Sequence, residues 1–160
     1  MATPTYTLID STTLGSSAAS VTFSGISATG GDLAIVVDTT LTGSASINFR
    51  LNNDSGSSYS FVLMRGSGSA ADSSDTSSTT QGTFGYSVGK SLAIAEIFDY
   101  SATDKHKSVL SRFNNSTYVF AHANRWADTS AVNRIDFILT AGASFAAGST
   151  FHLYNIAKAL

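Results

Sequence analysis

No cysteine occurs among the 160 residues, which excludes a disulfide framework and any thiolate metal site. Stability must therefore come from packing or from oligomerisation. Charge is scarce too: Asp, Glu, Lys and Arg make up 12% of the chain, against about a quarter in ordinary soluble domains. Ser, Thr, Gly and Asn take their place. The surface they make is neutral and polar, and it loses little on being buried against a neighbouring subunit. The same composition also suits a simple secreted β domain with a Ser/Thr-rich exterior. The longest aliphatic core segment, Leu33 to Val37, is far too short to cross a membrane, so no membrane partner is expected. A net charge of −2 argues against a general nucleic-acid binder. The opening M-A-T-P-T-Y shows no basic region followed by an apolar run, so no signal peptide is expected.

Chemistry-bearing patterns are also missing. His106, His122 and His152 are the histidines, none in HExxH spacing and none beside a thiol. His106 lies between Lys105 and Lys107, which disfavours a cation there. Asn52-Asn53-Asp54-Ser55-Gly56 faintly resembles a calcium loop, but it holds one carboxylate and lacks the distal Glu, so the turn reading is preferred. Glu96, Asp99 and Asp104 are close in sequence, yet nothing fixes the carboxylate separation that glycoside hydrolysis needs. There is no G-x-S-x-G elbow and no glycine-rich phosphate loop. No catalytic residue, metal site or cofactor is expected, and the chain reads as a non-enzyme.

What the chain does contain is alternation. Ile47, Phe49 and Leu51 alternate with Asn48 and Arg50; Tyr59, Phe61 and Leu63 repeat the pattern beyond the Asn52–Gly56 turn residues. This predicts a β-hairpin from Ile47 to Met64 with one apolar face. Similar short strands are expected at 5–9, 21–24, 32–40, 84–88, 91–98, 107–113, 117–123, 132–139 and 150–156. In 91–98, Leu92, Ile94, Glu96 and Phe98 share one face and Ala93, Ala95 and Ile97 the other. Residues 10–20 read as a loop or an extended arm. The Ser-rich run 66–81 reads as a long exposed loop, too polar to offset its ordering entropy by burial. About ten short strands, no convincing helix and no internal repeat indicate a single all-β domain over 1–160. The expected class is a jelly-roll-like two-sheet β-sandwich, with a possible N-terminal arm 1–20 and the exposed loop 66–81.

Two features suggest self-association. Residues 1–80 carry six Asp against Arg50 and Arg65, a net of −4, while residues 81–160 carry seven basic and five acidic residues, a net of +2. Such a split favours head-to-tail contacts between copies, or balances within one subunit. Lys105 and Lys107 form a small basic cluster, and Arg125 adjoins Trp126, the single tryptophan. An Arg-Trp pair suits an interface or a sugar; the alternative is a core tryptophan beside a surface arginine. Arg125, Trp126, Lys105 and Lys107 are the candidate interface residues.

Several stretches together resemble a family of small β-rich virion proteins encoded by tailed bacteriophages. They are Tyr6–Ile26 (Y-T-L-I-D-S-T-T-L-G-S-S-A-A-S-V-T-F-S-G-I), Arg50–Tyr59 (R-L-N-N-D-S-G-S-S-Y) and Ile97–Lys107 (I-F-D-Y-S-A-T-D-K-H-K). Trp126, the run A-V-N-R-I-D-F and the closing F-A-A-G-S-T-F-H-L-Y-N-I complete the pattern, with Asn155 where the usual ending has glycine. The resemblance implies a structural role in the virion. For a chain of one such domain it implies a capsid decoration or cement protein that binds the major capsid protein on the outer capsid surface, as a homotrimer. Its alternative is a tail or fibre component whose β-sandwich reads a host glycan through Tyr, Trp and Asn side chains.

Overall fold

The computed structural model describes residues 4–140 and 142–157. Among them are twelve strands and no helix: β1 (Tyr6–Thr13), β2 (Ser20–Ser24), β3 (Asp32–Thr40), β4 (Ala45–Leu51), β5 (Tyr59–Gly66), β6 (Ala71–Thr79), β7 (Gly82–Ser87), β8 (Lys90–Phe98), β9 (Lys107–Asn114), β10 (Val119–Trp126), β11 (Arg134–Leu139) and β12 (Thr150–Ile156). They form an eight-stranded sheet, β1-β12-β3-β8-β9-β10-β5-β6, and a four-stranded sheet, β2-β11-β4-β7. Neighbouring strands are antiparallel throughout. From β2 to β5, and again from β10 to β12, the chain changes sheet at every step. The result is an all-β, jelly-roll-like sandwich.

Period-two burial sets the faces. Along β9, Lys107, Val109, Ser111 and Phe113 are buried and their alternates exposed; along β2, Val21 and Phe23 point inward between exposed Ser and Thr. The core lies between the sheets and is rich in aromatic rings. Phe49 packs on Phe84 at 4.9 Å between centroids, Phe84 on Phe137 at 6.0 Å, and Phe137 on Phe151 at 5.2 Å. Close packing fixes glycine at Gly82, where a Cβ would run into the Phe49 ring, and at Gly85. Gly85 sits at a bulge in the β4–β7 pairing with φ +149°, and a Cβ there would lie 2.6 Å from the Phe113 ring.

The expected hairpin from Ile47 to Met64 does not form. Strand β4 pairs with β11 and β7 in the small sheet, and β5 pairs with β10 and β6 in the large one. The turn Asn52–Gly56 is a corner between sheets, so the two apolar faces meet across the core. Phe49 and Tyr59 pack edge-to-face at 6.2 Å, and the Tyr59 hydroxyl accepts the Leu51 N–H at 2.9 Å. Asn52 and Asn53 turn the chain with φ of +53° and +58°, a conformation asparagine tolerates.

The Ser-rich run is also not a loop throughout. Ala71–Thr79 forms β6, the outermost strand beside β5, and a Ser67–Ala70 backbone bond closes the turn between them. Its ladder supplies the order that its side chains, nearly all exposed, do not. At the other edge, residues 10–13 continue β1 and pair with β12 of the same chain. The segment expected as an arm is therefore in large part an edge strand. Residues 1–3 of that arm lie outside the described residues.

Candidate functional site

Two of the four candidate interface residues are internal. Trp126 is 2% exposed; it stacks on Tyr59, and its Nε1–H donates to Asp54 Oδ2 at 2.7 Å. That bond, more than any other interaction, holds the Asp54 carboxyl below its ordinary range, helped by the Gly56 N–H. Asp54 is thus the anchor of the corner turn. Lys107, directly across from Trp126 on β9, is fully buried. Its ammonium donates to the carbonyls of Ala102 (2.7 Å), Lys105 (3.0 Å) and Thr129 (3.3 Å), tying two loops together. Burial lowers its pKa, and Asp128, Asp104 and Asp99 oppose that shift. Neither residue is presented to a partner; each side chain faces the interior because it shares the inward register of its strand. Lys105 and Arg125 are exposed, Lys105 in an ion pair with Asp99 at 2.9 Å.

The structure does not gather the other candidates. Among the described residues no three His, Asp or Glu side chains converge as a metal site. Asp99 belongs to a turn at φ +47°, where its N–H donates to Asp32 Oδ1 at 2.7 Å. His122 points into the sandwich between Phe61 and Phe120, and Nδ1 has no hydrogen-bond partner among the described residues. Burial pushes its pKa down to about 4.

A site the sequence reading missed lies on the outer face of the large sheet. Outward residues of β10 are Ala121 and Ala123, flanked by Met64 and Val62 on β5 and by Arg112 and Leu110 on β9. Small residues on one strand between larger ones on its neighbours leave a trough one strand wide. Its central hollow is about 370 Å³ and is walled further by Ile94 and Glu96 of β8. It opens at one end toward Arg125, His106 and Ser108, and at the other toward Val119, a run of roughly 20 Å at ~3.3 Å per residue. Val62, Met64, Ile94 and Leu110 are 51%, 60%, 42% and 46% exposed. Arg112 and Arg125 make no hydrogen bond or ion pair among the described residues, whereas Arg65 and Arg134 are paired with Asp72 and Asp136.

The small sheet's outer face is different. Thr22, Arg134 and Asp136 hydrogen-bond one another there, and Arg50 donates to the Thr80 carbonyl. The one signal for the apolar face is β8, where the alternation is visible but its direction is not. Ala93 and Ala95 point inward; Leu92 and Ile94 point outward.

No protein-family model matches the chain, and no curated protein does. Among solved structures it is similar to galectin LEC-6 of Caenorhabditis elegans, at 12% identity and a TM-score of 0.42, over 89% of this chain and 94% of that one. It is also similar to an exo-inulinase from Aspergillus awamori, at 12% identity and a TM-score of 0.41, over 94% of this chain but 29% of that one. At these values neither likeness bears on function. The fold is a two-sheet β-sandwich built on the chain's own strand pairing.

Proposed function

We propose that this chain is a structural protein of a tailed-phage virion, a decoration or cement protein that binds the outer capsid surface through the major capsid protein. The role is mechanical rather than catalytic, and the protein acts as an oligomer, a homotrimer. The observation that supports this reading is the sidedness of the sandwich. On the small sheet's outer face Thr22, Arg134 and Asp136 bond one another and Tyr86 of β7 is the large exposed ring, while the large sheet leaves the adjacent Val62, Met64, Ile94 and Leu110 in contact with water. Exposed apolar area gathered on one face is what an assembling subunit carries. The resemblance of Tyr6–Ile26 and Arg50–Tyr59 to phage virion proteins supplies the setting. Binding only the assembled shell stabilises it by mass action, and contacts poor in charge lose little to salt.

The tail-borne glycan-binding alternative depends on Trp126 as a stacking platform. With that ring buried and its N–H committed to Asp54, no specific observation favours it. The test uses purified protein with undecorated capsids and with isolated tails. Saturable binding to capsids at a fixed ratio per capsomer, with a raised capsid melting temperature, is the expected result. Binding to tails alone, or to neither, would overturn the reading.

A further inference from the structure

We infer that one water molecule is bound inside the sandwich, held between His122 Nδ1 and Ser111 Oγ beneath the edge strand β7.

Two observations point to a ligand there. His122 Nδ1 and Ser111 Oγ are buried side-chain atoms with no hydrogen-bond partner among the described residues, and each residue is 4% exposed. Buried polar groups are nearly always hydrogen-bonded, because an unpaired one has given up its hydration without replacement. The two orphans are also neighbours. His122 and Ser111 face each other across the β9–β10 ladder, both in the inward register of their strands.

The surroundings supply no other side-chain partner. Phe120 stacks on the imidazole and Phe61 meets it at a steep angle, so phenyl rings flank it. The remaining members of its cross-strand row are Leu63 and Ala95. Asn124, the next inward residue of β10, is committed: its Oδ1 accepts the Thr83 N–H at 3.0 Å and its Nδ2 donates to the Thr83 carbonyl at 3.1 Å. Directly opposed residues hold their Cβ atoms about 4.5–5.5 Å apart. His122 and Ser111 do not bond each other across that spacing, and one shared water spans it with two bonds of about 2.8 Å. Ser111 and Ala95 are the small members of the row, and the room beside the imidazole comes from them. A row with no carboxylate, thiol or second imidazole suits a neutral hydrogen-bonding molecule rather than a metal ion.

The pair lies on the seam between the two sheets. Strand β7 is the edge of the small sheet. It crosses the row between Thr83, bonded to Asn124, and Gly85, set against the Phe113 ring. Further along, Asn115 Nδ2 donates to the Tyr86 carbonyl at 2.8 Å. Side chains of the large sheet therefore bond the β7 edge on both sides of His122 and Ser111. The water sits between those two contacts, with the β7 backbone above it as the source of the further partner that a buried water needs. A strand edge closed in this way is denied to any other chain.

A crystal structure of the protein at atomic resolution tests this, together with water magnetic relaxation dispersion, which counts long-lived internal waters. Wild type is expected to show one ordered water within hydrogen-bonding distance of both His122 Nδ1 and Ser111 Oγ. Ser111→Val removes the hydroxyl and occupies its room with methyl groups; it is expected to hold one long-lived water fewer. His122→Phe keeps a ring in place and removes the acceptor, and it should lose the same water, so the test survives if the valine variant does not fold. A direct Ser111–His122 bond in the wild-type crystal, no water between them, or an unchanged water count in a folded variant would overturn the inference.

Discussion

Acidification should destabilise this protein through one residue before its carboxylates matter. His122 is 4% exposed between two phenylalanine rings, and burial holds its pKa at about 4, against an ordinary value of 6.5. Its folded pKa is depressed, so the unfolded chain binds the extra proton between those values. Stability is then full above the unfolded pKa and falls as pH drops from about 7 toward 4, where the loss levels off. Two and a half pH units at ~1.4 kcal/mol each give a total of about 3 kcal/mol, of which about 2 kcal/mol is gone by pH 5. The carboxylates held low by hydrogen bonds, Asp54, Asp72 and Asp128, contribute in the opposite part of the scale. Their stabilisation is lost only as pH falls below the ordinary carboxylate range, so the window from pH 5 to 7.5 isolates the histidine. The assay is urea unfolding across that window at one fixed protein concentration, so that any association enters every midpoint alike. His122→Phe, which keeps a ring among Phe61 and Phe120, should flatten the profile while His106 and His152 remain. A wild-type profile already flat from pH 5 to 7.5, or an equal slope in His122→Phe, would refute the reasoning.

Lys107→Met should cost about 2–4 kcal/mol, because three carbonyls lose a charged donor in a site closed to water; denaturant midpoints measure it, and a neutral result would mean the ammonium's desolvation cancels its bonds. Trp126→Phe should cost about 1.5–3 kcal/mol through the lost bond to Asp54, and an NMR titration should show the Asp54 pKa rising toward the ordinary value. Gly85→Ala should destabilise by about 1–3 kcal/mol, since φ +149° and the Phe113 ring both oppose a Cβ; thermal unfolding checks it.

Strands whose two faces differ are legible from residue order alone. Val21 and Phe23, or Phe120, His122 and Trp126, alternate with polar or small residues, and period two is enough to find them. The partner of a strand is a different matter. Two alternating runs joined by Asn-Asn-Asp-Ser-Gly look alike whether they lie side by side or face each other across a core. The choice is made by β10 and β11, far along the chain, which claim β5 and β4 for separate sheets. Strand β6 gives no signal because neither of its faces is buried; its order comes from backbone bonds to β5, which side-chain pattern does not encode. Lys107 is misplaced by pattern for a related reason. A lysine reads as surface unless three carbonyls converge on it, and those belong to turns brought together only by the finished fold.

The candidate site is hidden by a rule of size. In S-L-A-I-A-E-I-F the alternation is plain, and volume suggests that Leu92 and Ile94 face the core. The core is already crowded with rings such as Phe84, Phe113 and Phe137, and the inner positions of β8 are taken by Ala93 and Ala95. Leu92 and Ile94 are left on the outer face, 39% and 42% exposed. On β10 the arrangement is the reverse: Phe120, His122 and Trp126 face inward and leave two outward alanines, so large residues of the neighbouring strands ring a floor of small ones. An inward packing constraint has thereby fixed the shape of the outward face. A substitution made to relieve the core, such as Ala95→Val, would push β8 outward, and it would be felt in the trough before it was felt in the melting temperature.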